Sequence, residues 1–350
     1  MHPLLAATAA TQGGVFTREQ AAGVGYRTPE IRTLLRPGGE WVRVRRGGYV
    51  ARPAWEAADD VGRWRMRDRA VHLTMRAPHV LSHDSAARAL GIDVAVPRER
   101  LVHVTRGRVN GTRTEHGVKH HVARTPPGDL ALTDGVPHLG AARTAVDLAR
   151  EHGLTTGVVA MDQVLRRNVT IADLHGEVAG QRHWPGVHEA RRAVDLADAG
   201  AENGGESIAR LLVVEALGLR PVTQFPVRLG RGVIWIDMLV GCLAIELDGR
   251  VKYLSVAEGG VAVGPVADVV MAEKGREGGL QGVGLAVQRL TPDDFWGVPR
   301  KRAMARLRQQ YAAAVASFGA TTPTALLEAA RQMEGLRSER LRDRRLGVAS

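Results

Sequence analysis

"DMLVGCLAIELDGRVKY", Asp237 to Tyr253, sets three acids, Asp237, Glu246 and Asp248, among apolar residues of strand type. Two explanations compete. Either the acids line the solvent face of a sheet, or they gather to hold a cation. Side chains alternate across a strand. In the second half of the stretch, Leu243, Ile245 and Leu247 share one face, and Ala244, Glu246 and Asp248 share the other. In the strand before it, Ile234, Ile236 and Met238 oppose Trp235 and Asp237. A short turn near Gly241 makes a hairpin that sets Asp237 beside Glu246, away from the core. Like charges directly opposite repel, so the pair is unfavourable unless a cation bridges it. Two carboxylates, a third oxygen ligand and waters suit Mg²⁺ or Mn²⁺. Such an ion activates water and stabilises charge on a phosphate in transfer.

The flanks extend this pattern. "ESIARLLVVEALGL" reads as a helix with Glu206 and Arg210 on one face. Packed across the hairpin, it brings Glu206 to the acids. "VTQFPVRLG" is a strand carrying Gln224. "DVVMAEKGREGGLQGVG" is a helix carrying Lys274 and Arg276, and "LAVQRLT" is a last strand. The order is αβββαβ.

Six blocks in this order, Glu206-Ser207, Gln224, Asp237, "IELDGRVKY", "EKGRE" and "QRLTPDDF", resemble the very-short-patch-repair-like branch of the PD-(D/E)XK nuclease superfamily. The resemblance spans residues 204–296. It implies a metal-dependent DNA endonuclease core of restriction-endonuclease type, with Asp237 and Glu246 as metal ligands and Glu206 as the helix glutamate of some branches. Gln224, Arg210 and Arg276 fall where substrate is contacted. Asp248 stands in place of the superfamily's usual lysine, which orients water and offsets developing charge. Lys252 and Lys274 are the candidates to act for it. Two departures stand out: a Gly-rich stretch over 255–266, and the lack of the histidine that family members often carry near Lys252.

The N-terminal residues 1–53 read as helix, helix, helix, basic hairpin, the order of a winged helix-turn-helix. Thr17 caps the second helix and Thr28 the third, with Pro29 in its first turn. The third helix offers Arg27, Arg32 and Thr33 to a DNA groove, and the hairpin offers Arg43, Arg45 and Arg46 to phosphates. In "WVRVRRGGYVAR", Trp41, Arg43 and Arg45 alternate against Val42 and Val44, and Gly47-Gly48 makes the turn. Residues 54–200 alternate helices and strands, with helix starts at Ser82 or Asp84 and at Thr170. The stretch "GGVFTREQAAGVGYRTPEIRTLLRPGGEWVRVRRGGYV" is similar to the winged helix of AbiEi-like type IV antitoxins. "VLSHDSAARALG", "VHVTRGR" and "ARTAVDLAR" are similar to the region that follows it in relatives. This second resemblance implies DNA binding and transcriptional regulation, with a cognate toxin as a further partner. His79, His83, His103, His116, His120 and His121 show no compelling metal-ligand spacing; His83, after a strand end, is open to a role as ligand or base, with a packed or surface histidine the simpler reading.

Composition agrees with a nucleic-acid partner. The formal charge is +11, mostly from arginine, in a chain of 350 residues. Aromatics are only 4% of residues against 44% hydrophobic, so the cores must be built from Val, Leu, Ile and Ala. The single cysteine, Cys242, excludes an internal disulfide and a Cys-based zinc site, and reads as a small core residue. No apolar run reaches membrane-spanning length, and the N-terminus lacks a signal-peptide pattern, so a cytoplasmic protein is expected. The expected architecture is α+β and multi-domain: a winged helix over 1–53, an α/β middle region over 54–200, a nuclease-like domain over 204–298 and a basic helical tail over 299–350. A homodimer is compatible with this layout. Two function classes follow, a steered Mg²⁺-dependent endonuclease and a non-catalytic antitoxin-like regulator.

Overall fold

The computed structural model describes residues 1–96, 100–107, 111–230, 232–248, 275–336 and 339–340. Among the described residues the chain is mixed α/β with three sheets, and it divides into two compact units. The first comprises Met1–Val164 and Val169–Leu196, the second Leu165–Asn168 and Ala197–Ser350. No helix among the described residues is long and apolar enough to cross a membrane.

The first unit begins with α1 (Pro3–Thr11), β1 (Val15–Thr17), α2 (Arg18–Gly23) and α3 (Thr28–Leu34), then the hairpin β2 (Trp41–Arg45) and β3 (Gly48–Ala51). Thr17 and Gln20 form a reciprocal capping box that starts α2. The third helix starts one residue earlier than expected: Arg27 occupies the cap position and Thr28 is already helical. The three strands pair antiparallel in the order β1-β3-β2.

Both faces of this small sheet are covered, which simple alternation does not reveal. Trp41 and Tyr49 pack with Phe16, Leu5 and Ile31 under the helices. Phe16 meets Trp41 edge to face at 4.8 Å. Val15 and Val50 pack on the other side with Ala70, Met66 and Leu73 of α5 (Asp60–Thr74). A register shift between Arg43 and Arg45 then turns the end of β2. Trp41 is therefore core although it shares its alternation class with Arg43, which stays exposed.

After α4 (Arg52–Ala57), α5 packs on this hairpin and, through Val71, on the next sheet. That sheet has six strands: β4 (Val80–Leu81), β5 (Val102–Arg106), β6 (Arg113–Glu115), β7 (Val118–Val122), β8 (Leu130–Thr133) and β9 (Val136–Leu139), in the order β6-β7-β5-β4-β9-β8. Around it lie α6 (His83–Leu90), α7 (Ala141–His152), α8 (Leu154–Leu165), α9 (Ile171–Gly180) and α10 (Val187–Leu196). Ser82 occupies the cap position of α6 but makes no capping bond, its Oγ lying 3.1 Å from His83 Nδ1 instead. Two buried carboxylates of this unit are paired with arginines. Asp68 accepts from Arg88 Nε at 2.8 Å and from the Ser85 hydroxyl at 2.6 Å. Asp147 accepts from Arg143 at 2.8 Å and Arg150 at 2.7 Å, and both guanidiniums lie over the Trp184 ring.

The second unit follows the expected element order. It runs α11 (Gly204–Leu217), β10 (Val222–Leu229), β11 (Gly232–Val240), β12 (Leu243–Leu247), a helical segment over 275–282 and β13 (Ala286–Leu290). Two more helices follow, α12 (Gly297–Phe318) and α13 (Thr324–Gln332). The sheet order is β10-β11-β12-β13, with the first two pairings antiparallel and the last parallel. Phe225, Val227, Ile236, Leu239 and Ala244 form its core with Leu280, Leu285 and Leu326. Gly241 makes the β11–β12 turn at φ +55°, and a Cβ there would meet the Ala320 carbonyl oxygen at 2.5 Å, so only glycine fits. Cys242 beside it is fully buried, as expected, its thiol 3.0 Å from the Thr321 carbonyl oxygen.

The buried histidines of the first unit give its stability a pH dependence. Burial pulls the imidazole pKa of His103 down to about 4 and that of His121 to about 3. Unfolded, both titrate near the ordinary value of about 6.5. Between that value and the folded ones the unfolded chain binds more protons, so stability present at neutral pH is lost as pH falls. The thermal midpoint in metal-free buffer is expected to drop between about pH 6.5 and pH 5, and His121→Asn to flatten that slope. A wild-type profile as flat as that of the variant over this window contradicts the assignment.

Candidate functional site

The β11–β12 register decides which side chains meet. Met238 pairs Ile245 and Leu239 pairs Ala244, so one step further Asp237 lies opposite Glu246. The Leu247 backbone N–H donates to Asp237 Oδ2 at 2.9 Å, which ties the Asp237 carboxylate across the strand pair. Both acids are half-buried at the end of the hairpin remote from the turn. Arg276, from the helical segment that follows, brings Nη2 to 2.6 Å from Glu246 Oε1 and also donates to the Trp235 carbonyl at 3.1 Å. Asp248 leaves β12 with its N–H on the Leu290 carbonyl, and its carboxylate sits 3.4 Å from Arg289 Nη1.

Gln224 sits on the other side of Asp237. Thr223 pairs Met238 and Phe225 pairs Ile236, which puts Gln224 opposite Asp237, but the regular pairing skips this position. Gln224 has φ +48°, a conformation rare outside glycine and strained for a longer side chain. Its side chain is 1% exposed, and neither amide atom makes a hydrogen bond among the described residues. Backbone strain and an unsatisfied buried amide next to paired acids are features that accumulate at functional positions.

Glu206 helps to cap its own helix. Its carboxylate accepts from the Glu202 N–H at 2.6 Å and from the Asn203 side-chain amide at 2.9 Å, while Asn203 caps its own N–H. This arrangement fastens the start of α11, which abuts Leu247 at Gly205. Arg210, one turn on, is buried on the same helix. Lys252 and Lys274, the two candidate lysines, lie outside the described residues, as does the Gly-rich stretch over 255–266.

In the first unit the basic residues divide between two places. Arg27, Arg32 and Thr33 are exposed on or beside α3. Arg43, Arg45 and Arg46 of the hairpin line a depression of about 580 Å³ together with Arg18 and Arg76. Arg45 is half-buried there, and burial lowers its pKa. Arg18 also donates to the Thr28 hydroxyl at 3.0 Å and so links this depression to the start of α3. Reading the hairpin alone missed Arg18 and Arg76, because they reach it from α2 and from beyond α5.

Residues 70–196 match the family described as the AbiEi antitoxin C-terminal domain. A similar solved structure is the crystal structure of RV2827C protein from Mycobacterium tuberculosis. It is 19% identical to this chain, with a TM-score of 0.36 over 56% of this chain and 78% of that one. No curated protein matches the chain.

The Leu247–Asp237 bond and the facing carboxylates make opposite demands on substitutions. Asp237→Asn keeps an oxygen acceptor and removes one of two like charges. It is expected to be at least as stable as the wild type in metal-free buffer. Asp237→Ala orphans the Leu247 N–H and is expected to lose about 1–3 kcal/mol in urea unfolding. Equal losses in the two variants would show that repulsion at this pair is negligible.

Proposed function

We propose that the chain is a DNA-binding protein whose second unit hydrolyses phosphodiester bonds with a divalent cation, Mg²⁺ or Mn²⁺, held by Asp237 and Glu246. The observation that carries this reading is the register of β11 on β12, which sets the two carboxylates opposite each other on the middle strands of an αβββαβ core. The donors suit the ion. Both carboxylates are hard oxygen ligands, and Gln224, opposite Asp237 with its amide unsatisfied among the described residues, would contact substrate or water beside them. A bound cation would supply Lewis acidity toward a phosphodiester oxygen.

The protein's own residues have separable tasks. Asp237 is fixed by the Leu247 N–H, so its second oxygen keeps a set direction. Arg276 lies against Glu246 and is placed to meet a phosphate from the same side. Asp248, paired with Arg289, takes the position of the absent lysine without its charge, which leaves water orientation to Lys252 or Lys274. Glu206 holds the start of α11 and supports the site. In the first unit, the element order and the basic hairpin support a winged helix-turn-helix. Arg27, Arg32 and Thr33 then face a groove, and Arg43, Arg45 and Arg46 face the phosphates.

A second reading has its own observation. The match of residues 70–196 to the AbiEi antitoxin C-terminal domain favours an antitoxin-like regulator that binds DNA and a cognate toxin without cleaving DNA.

Supercoiled plasmid incubated with Mg²⁺ separates the two. Nicking or linearisation by the wild type that disappears in Asp237→Asn and Glu246→Gln is expected. Cleavage undiminished in both variants would exclude these carboxylates. No cleavage by any form, with operator DNA still retarded in a gel, would favour the regulator. For the DNA-binding face, Arg43→Ala and Arg46→Ala are each expected to weaken affinity for all sequences alike. Each should also reduce the slope of log K against log salt by about one. An unchanged salt slope would move the phosphate contacts elsewhere.

A further inference from the structure

Three histidines with no recognisable spacing converge in the first unit. His83 opens α6, His103 lies on β5 and His121 on β7. The parallel pairing of β5 with β7 aligns His103 with Lys119 and Thr105 with His121, so these side chains form one patch on the sheet. His103 Nδ1 is 3.1 Å from His121 Nε2. The His83 ring stacks on His121 with centroids 3.6 Å apart and 13° between planes. One donor atom from each of the three residues lies within 4.8 Å of the others, and all three side chains are buried.

Neighbouring groups orient these rings. Asp84 Oδ2 lies 3.5 Å from His103 Nε2 and 2.8 Å from His152 Nε2. A carboxylate behind one imidazole nitrogen favours the proton there and leaves the other nitrogen's lone pair directed inward, the arrangement that backs metal-bound histidines. For His103 the inward atom is Nδ1. The Ser82 hydroxyl beside His83 Nδ1 leaves that ring's Nε2 as its donor. His83 also has φ +46°, a strained backbone that fixes where its ring enters the cluster.

We infer that His83, His103 and His121 form a transition-metal site, Zn²⁺ by ligand type, with a fourth position open to the adjoining cavity. Imidazole donors select zinc and its first-row neighbours over Mg²⁺. Three histidines with one position left for solvent or ligand is the pattern of zinc sites that do chemistry rather than only brace a fold. The 3.1 Å between His103 Nδ1 and His121 Nε2 is near the roughly 3.3 Å edge of a tetrahedron built on Zn–N bonds of 2.0–2.1 Å. A donor atom of His83 lies within 4.8 Å of the other two, so binding draws it inward by a small movement.

The cavity beside the histidines holds about 360 Å³ and is lined by Lys119, Arg143, Arg150 and Glu151. Its cations are matched by acids: Lys119 pairs with Glu151, and both arginines pair with Asp147. Asp84 adds a further negative charge next to His103. The ion's charge thus enters surroundings in which three cations face three carboxylates, and the ligand it takes at the fourth position is water or a small anion.

Cobalt substitution tests the site in the untagged full-length chain. Stripped of metal, the protein should bind one Co²⁺ with the visible absorption bands of a tetrahedral site, and Zn²⁺ should displace it. His83→Asn and His121→Asn should lose the bands while keeping their far-ultraviolet circular dichroism. Asp84→Asn should bind about tenfold or more weakly. Asp237→Asn should bind Co²⁺ with the same bands, which separates this site from the oxygen-ligand pair of the second unit. X-ray absorption of the zinc-loaded wild type, which needs no variant to fold, should show imidazole scattering from three rings. No visible bands in the wild type, bands that survive in the His83→Asn/His121→Asn double variant, or a zinc shell of oxygens alone would overturn the inference.

Discussion

The hydrogen-bond register between β11 and β12 is the constraint on which the second unit depends. A strand presents alternate residues to alternate faces, so a slip of one position would send Glu246 to the other side and separate it from Asp237. Three features prevent the slip. Gly241 closes the turn at a φ and a clearance that only glycine tolerates. The pairs Met238–Ile245 and Leu239–Ala244 are buried, so their exchange would expose apolar surface. The Leu247 N–H reaches Asp237 itself, so the acid is part of the lock. The same residues that hold the register therefore set the two carboxylates opposite each other.

Much of this was legible in the sequence, for local reasons. Alternation in residues 234–248, helix periodicity before them and the strand "LAVQRLT" after them give the αβββαβ order. Thr17 with Gln20 and Thr170 with Asp173 mark helix starts through short-range bonds, and both capping boxes form. The basic hairpin likewise follows from alternation and its glycines. The match of residues 70–196 to an antitoxin domain agrees with the family likeness carried by "VLSHDSAARALG" and "ARTAVDLAR".

What was not legible depends on contacts far apart in the chain. His103 and His121 are eighteen residues apart and meet only because β5 and β7 pair in parallel, which periodicity does not specify. Trp41 was grouped with exposed arginines because alternation does not say whether one face or both are covered; here α5 covers the second face. The strained backbone at Gln224 leaves no mark in composition, since glutamine is not a residue chosen for positive φ. Ser82 and Thr28 looked like caps, yet one hydroxyl lies against His83 and the other residue is already inside its helix. Glu206 also takes up a local task that helix spacing and family likeness do not specify: its carboxylate accepts from the loop that precedes α11.

The two units gather different donor atoms. The second gathers oxygen donors on the two middle strands of its sheet beside arginines, the donor type that hard cations take. The first gathers nitrogen donors in its interior and spreads arginines around the hairpin. The function proposed for the second unit requires a cation between Asp237 and Glu246. The direct measurement is anomalous diffraction from crystals grown with Mn²⁺. A manganese peak bonded to oxygens of both Asp237 and Glu246, absent in Asp237→Asn crystals, is the result the account predicts. Well-ordered density for both carboxylates with no manganese between them would contradict it.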